Sequence, residues 1–159
     1  IHNLVTGFEK SFNGAFAKEL HEITDVLEDE FVDISGFKLH ITYNEENIEI
    51  EFPQINAVYT HMLGHDSHSI VAGKDHADAM INKLKEYIKK GYNLVLSSHH
   101  TPENLDDVKE KIEYLENLKK IANTSNSLED FKNNVKKEYP NYSGLNYLDM
   151  TAGFFFSEN

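Results

Sequence analysis

The chain contains no cysteine, which excludes disulfides and thiolate metal sites and leaves the redox compartment open. Tryptophan is also absent, and proline occurs only three times. No apolar stretch approaches the roughly 20 residues that a membrane-spanning helix needs. Positive charge is scarce: Lys and Arg number 15 against 27 Asp and Glu, for a formal net charge of −12. Such a surface repels phosphate backbones and anionic lipid, so neither nucleic acid nor a membrane is expected as a partner. There is no Gly-x-Ser-x-Gly elbow and no glycine-rich phosphate loop, and no catalytic nucleophile or organic cofactor site is assigned. No signal peptide is visible, and a cytoplasmic location is the expectation. The first residues are Ile-His-Asn rather than Met, so an earlier segment is left open.

What is present reads as globular. The 159 residues are 40% hydrophobic and 11% aromatic, with ten Phe and eight Tyr. One domain is the natural reading, and a domain of this size buries roughly 70% of the surface of its unfolded chain. Phe8, Phe12, Phe16, Leu20, Ile23, Leu27 and Phe31 recur at steps of three and four, as one stripe of an amphipathic helix or helix pair would. The period then changes. Phe37, Leu39, Ile41 and Tyr43 alternate with Lys38, His40 and Thr42, and Ile48, Ile50 and Phe52 alternate with Glu49 and Glu51. This pattern predicts a β-hairpin with one wet face.

A third strand is expected over Ile55 to Tyr59, a helix from about Asp75 to Lys90 closed by Gly91, and a short strand over Tyr92 to Leu96. Thr101 as N-cap with Pro102 behind it predicts the start of another helix, lined inside by Leu105, Val108, Ile112, Leu115 and Leu118. Ser127 opens one more helix that Pro140 stops, while the Phe154-Phe155-Phe156 run fits neither period. The sum is an α/β fold: a hairpin, then strand–helix–strand in a right-handed crossover, then flanking helices.

Six of the nine histidines lie between positions 61 and 100. The first patch carries His61, His65, Asp66 and His68, and the second carries His99 and His100. Both follow predicted strands, at the strand ends where α/β sheets gather ligands. Imidazole and carboxylate are zinc-class ligands, so the candidate metal ligands are His99, His61, Asp66 and His68. His76 falls in the first turn of a helix and reads as a capping residue. His100 would point away from His99.

The runs NAVYTHMLGHDSHSIVAG and NLVLSSHHTPE, joined by an amphipathic helix, resemble the C-terminal portion of metallo-β-lactamase-fold hydrolases. The resemblance covers about residues 36–120 and includes the segment Lys111-Ile112-Glu113-Tyr114-Leu115. It implies an αββα sandwich with one or two zinc-class divalent ions, His99 standing as the last metal ligand. The metal-bridging position falls on His61 by counting from the strand, with His68 as the downstream histidine, or on Asp66 by residue type. The family's His-x-His-x-Asp-His signature is absent. The chain therefore resembles the C-terminal section of a longer metal-dependent hydrolase, inactive in isolation, or a relative that lost half its site. Its expected partner is the missing N-terminal segment, or a second copy of itself. A non-catalytic interaction or metal-binding module with a vestigial histidine site is the alternative, and a partner-binding scaffold with structural histidines is a third.

Overall fold

A computed structural model describes residues 29–43, 48–61 and 63–156. The helical stripe expected from Phe8 to Leu27 lies outside the described residues. Its last member, Phe31, does not continue a helix but begins strand β1 (Phe31–Ile34). Ser35 and Gly36 both have positive φ, 55° and 86°, and the Asp33 carboxylate accepts the Gly36 N–H at 2.7 Å. This two-residue turn pairs β1 with β2 (Phe37–Tyr43), antiparallel.

The expected hairpin follows, with β2 antiparallel to β3 (Ile48–Phe52). Pro53–Ile55 forms a single 3-10 turn, which moves the third expected strand two residues on, to β4 (Ala57–Thr60). Asn56 takes the left-handed conformation between them and donates its side-chain N–H to the Gly91 carbonyl at 2.7 Å. Helix α1 (Lys74–Lys90) ends at Gly91, which has φ 68°. Strand β5 (Leu94–Ser97) lies parallel to β4, so the sheet runs β1-β2-β3-β4-β5 with its single parallel pair at one edge.

Helix α2 (Leu105–Thr124) starts later than Thr101-Pro102 predicts. Glu103 is held by a two-way backbone bridge to Val95, at 2.8 and 2.9 Å, so the chain there is extended beside β5. Asn104 is the N-cap and forms a capping box with Asp107. Helix α3 (Leu128–Glu138) is capped by Ser127 as expected, and the unassigned aromatic run closes helix α4 (Leu145–Phe156). The α/β class and the hairpin plus strand–helix–strand plan are therefore present. Among the described residues, no helix is long and apolar enough to cross a membrane.

The core lies on one face of the sheet. Val58 and Val95, both fully buried, meet Ala77, Ile81, Leu84 and Tyr87 of α1, and behind them Val108, Leu115, Leu118, Phe131 and Leu148. Strand register places Glu49 and Glu51 on this same face. Glu49 is buried, accepting from Tyr87 and paired with Lys83 at 2.9 Å, while Glu51 pairs with Lys90 at 2.8 Å. The other face carries Ile34, Phe37, Leu39, Ile41, Tyr43, Ile48 and Ile50; of these Ile34, Phe37, Tyr43 and Ile48 are exposed, while Ile41 is buried. On the charged face Glu49 is buried while Lys38 and Thr42 are exposed, so the hairpin's wet side is not divided simply by polarity.

Candidate metal centre

The two histidine patches emerge side by side because β4 and β5 are parallel neighbours whose last pair is Thr60 with Ser97. Immediately beyond, the Ser98 N–H reaches the His61 carbonyl at 3.1 Å, and the Tyr59 hydroxyl meets the Ser98 hydroxyl at 2.5 Å. These bonds tie the two strand ends together. The His61 and His99 rings consequently stand edge to face, with centroids 5.1 Å apart. Both are exposed.

The rest of the first patch is a clamped loop. Gly64, at φ 58°, opens a turn closed by Ser67 N–H to the Gly64 carbonyl at 3.2 Å. A Cβ at Gly64 would lie 2.4 Å from the Ser67 hydroxyl oxygen, so the turn requires glycine. Glu103, only 2% exposed, accepts the backbone N–H of Gly64 at 3.1 Å and of His65 at 2.7 Å. Lys111, 1% exposed, donates to the carbonyls of Gly64 and Ser67 at 2.9 and 2.6 Å. Burial lowers the Lys111 ammonium to about 7, with Glu103 and Asp66 opposing the shift. Ser143 bridges to the loop through Asp66 and His68, and Thr151 holds Ser69 and Val71.

This clamp separates the candidate ligands into three places. His61 and His99 form the first. Asp66 is turned to His100, whose Nε2 lies 3.1 Å from Asp66 Oδ1, and His65 stands beside them with its ring 5.2 Å from that of His100. Among the described residues, His65, Asp66 and His100 are a group whose potential ligand atoms all lie within 4.8 Å of one another. Burial pulls the His65 imidazole down, but its Glu103 hydrogen bond and the carboxylates of Asp107 and Asp66 more than offset this and hold it above the ordinary histidine range.

His68 occupies the third place. It is fully buried against Tyr114 and Tyr142, with Nδ1 3.1 Å from the Tyr114 hydroxyl and Nε2 without a partner. Burial, aided by Lys111 and Lys136, lowers it to about 4. Those cations also oppose a metal ion at that ring. His76 accepts the Ala72 N–H at 2.9 Å, as its capping position predicts.

Sequence reasoning passed over Glu103, Lys111 and the grouping of His65 with His100. Glu103 carries no local signal, since its carboxylate is buried by a loop 39 positions earlier. Lys111 had one: it falls three residues after Val108 and four before Leu115, within the apolar stripe of α2.

No family model matches this chain, and no curated protein does either. Solved structures do share its fold. The stereoselective inverting sec-alkylsulfatase Pisa1 from Pseudomonas sp. is similar at TM-score 0.54 and 13% identity, over 80% of this chain and 25% of that one. A double mutant of sec-alkylsulfatase PisA1 is similar at TM-score 0.55 and 13% identity, over 84% of this chain and 26% of that one. The chain thus spans about a quarter of the length of the alkylsulfatase it matches, and at this identity the likeness is one of fold.

Proposed function

We propose that this chain is the C-terminal section of a metallo-β-lactamase-like, metal-dependent hydrolase, to which it contributes His61 and His99 as ligands of a zinc-class ion. The observation that carries this reading is the meeting of the two imidazoles at the ends of the parallel strands, 5.1 Å apart. The donor chemistry fits a zinc-class ion, but a hydrolytic site needs three protein ligands and an open position, so the pair is part of a set. A neutral imidazole has one ring-nitrogen lone pair and cannot bridge two ions while keeping its N–H proton. One ion therefore suits His61 better than the bridged pair that a carboxylate would serve. When bound, such an ion lowers the pKa of water toward neutrality and polarises an ester, amide, thioester or sulfate bond. The chain's own part is to bind and orient: the Ser98–His61 and Tyr59–Ser98 hydrogen bonds keep the two rings in register.

The partner is another section of the same hydrolase, packed against the apolar side chains of the hairpin. Among the described residues Ile34, Phe37, Tyr43 and Ile48 are exposed together, which supports this, because an exposed apolar patch is a docking surface or a route to self-association. The purified 159-residue chain is expected to hydrolyse no ester, lactam or sulfate, and to self-associate in light scattering. Clear turnover by this chain would overturn its role as a section, and a strict monomer would count against the sandwich. Calorimetric Zn2+ titration of His61→Ala and His99→Ala tests the pair: both variants should lose the same binding event.

A further inference from the structure

A second group of side chains beside that pair has the geometry of a separate cation site. Both ring nitrogens of His100 face oxygen acceptors: Nδ1 lies 3.0 Å from the Thr101 carbonyl and 3.5 Å from Glu103 Oε1, and Nε2 lies 3.1 Å from Asp66 Oδ1. The Thr101 hydroxyl lies 3.4 Å from the same Nδ1, and Nε2 and the Asp66 carboxylate meet face to face at the rim of the loop, where one ion could be held by both. His65 repeats half of this pattern, with Nδ1 2.9 Å from Glu103 Oε1.

We propose that His65, Asp66 and His100 bind a divalent transition-metal ion of the zinc class, through the Nε2 atoms of the two imidazoles and the Asp66 carboxylate. Two imidazoles and one carboxylate, leaving a position for water, suit zinc and its neighbours and discriminate against magnesium and calcium, which take oxygen ligands. One ring nitrogen of each histidine and an Asp66 oxygen already lie within 4.8 Å of one another. Ligands that sit about 2.0–2.2 Å from a common ion stand closer together than this, so binding would draw the two rings and the exposed Asp66 carboxylate inward by side-chain rotation.

Glu103 is the positioning residue. Its buried carboxylate lies 2.9 Å from Nδ1 of His65 and 3.5 Å from Nδ1 of His100. It so favours the tautomer of His65 whose Nε2 lone pair is free for metal, as carboxylates behind zinc-bound histidines do, while the Thr101 carbonyl stands in that place for His100. Glu103 is itself pinned by its backbone bridge to Val95, and Lys111 holds the Gly64 and Ser67 carbonyls of the same turn. The geometry is therefore preorganised by the fold. This site does not depend on the His61–His99 pair.

Cobalt(II) titration of the purified chain after chelator treatment tests the site, read by ligand-field absorption and calorimetry. Wild type should bind with four- or five-coordinate absorption. Asp66→Asn and His100→Ala should each weaken that binding at least tenfold, and Glu103→Gln should weaken it about 10–100-fold. Because Glu103→Gln can also loosen the loop, the exposed Asp66→Asn, with an unchanged circular dichroism melt in the absence of metal, is the deciding variant. His61→Ala and His99→Ala should leave this binding event in place. Binding that is lost only in those two variants would overturn this site while leaving the pair intact. A wild-type chain with no saturable binding would overturn it as well.

Discussion

The two faces of the sheet do not divide by polarity. In the hairpin, helix α1 meets the face that holds Glu49 and Glu51, while on the other face Phe37, Tyr43 and Ile48 are exposed and Ile41 is buried. Only at β4 and β5 does the covered face become apolar, with Val58 and Val95 fully buried. Glu49 and Glu51 are accommodated against α1 because that helix supplies Lys83, Tyr87 and Lys90 where the carboxylates need partners. Alternation tells two faces apart, but not which one is covered. Covering depends on what packs there, and a buried carboxylate is tolerated wherever donors arrive with the covering element.

The strongest test of this contrast is a cavity on the helical side. Leu115→Ala, at a fully buried position, should cost about 2–5 kcal/mol in urea denaturation, and a loss under 1 kcal/mol would mean that side is not the packed one. The next effect is a pH dependence on that same side. The unfolded chain takes up the His68 proton near pH 6.5, whereas the folded chain resists it down to about 4. Stability should therefore fall as pH drops between those values, by up to ~3 kcal/mol from this residue. His68→Phe should remove that part of the acid slope, measured with chelator present, and an unchanged slope would mean that the ring is not desolvated.

Tyr87→Phe, which takes one donor from the buried Glu49, should cost about 1–3 kcal/mol while Lys83 remains. A neutral result would show that Glu49 reaches water. The smallest effect belongs to the exposed side chains of the other face: Phe37→Ser and Ile48→Ser should each change monomer stability by no more than about 0.5 kcal/mol. Both should reduce self-association in light scattering. A loss of 2 kcal/mol or more from either would break the comparison, because it would place those side chains in a core.

Local chemistry made much of the fold legible before any coordinates. The α1 stripe with Gly91 behind it, the Ser127 cap and the alternation of β2 and β3 are each written within a few residues of the element they define. The failures are instructive. Phe31 extends a helical stripe by spacing, yet it pairs with His40 across a turn formed by Ser35 and Gly36. Thr101-Pro102 has the form of a helix start, but the bridge between Val95 and Glu103 keeps the chain extended through that point. The three consecutive phenylalanines of α4 carry no period, and only the tertiary structure shows Phe155 and Phe156 packed against Phe131.

The candidate site divides along the same line. Residue type and position after a strand were sufficient to single out His61, Asp66, His68 and His99. They could not group them, because grouping depends on loop geometry that Glu103 and Lys111 impose from 38 to 47 positions away. Those two residues hold the loop that sets Asp66 beside His100 and His68 among tyrosines, while the parallel pairing of β4 and β5 sets His61 beside His99.

By itself, then, the sequence determined the α/β class, the helix bounds near Lys74–Lys90 and Leu128–Glu138, and the presence of zinc-type donors at two strand ends. These follow from periodicity, capping and residue chemistry, all of which act over a few residues. Only the tertiary structure decided which sheet face is covered, which carboxylate is buried and which donors converge. Each of those outcomes is set by contacts between segments tens of residues apart, where burial and electrostatics depend on the neighbour and not on the local sequence.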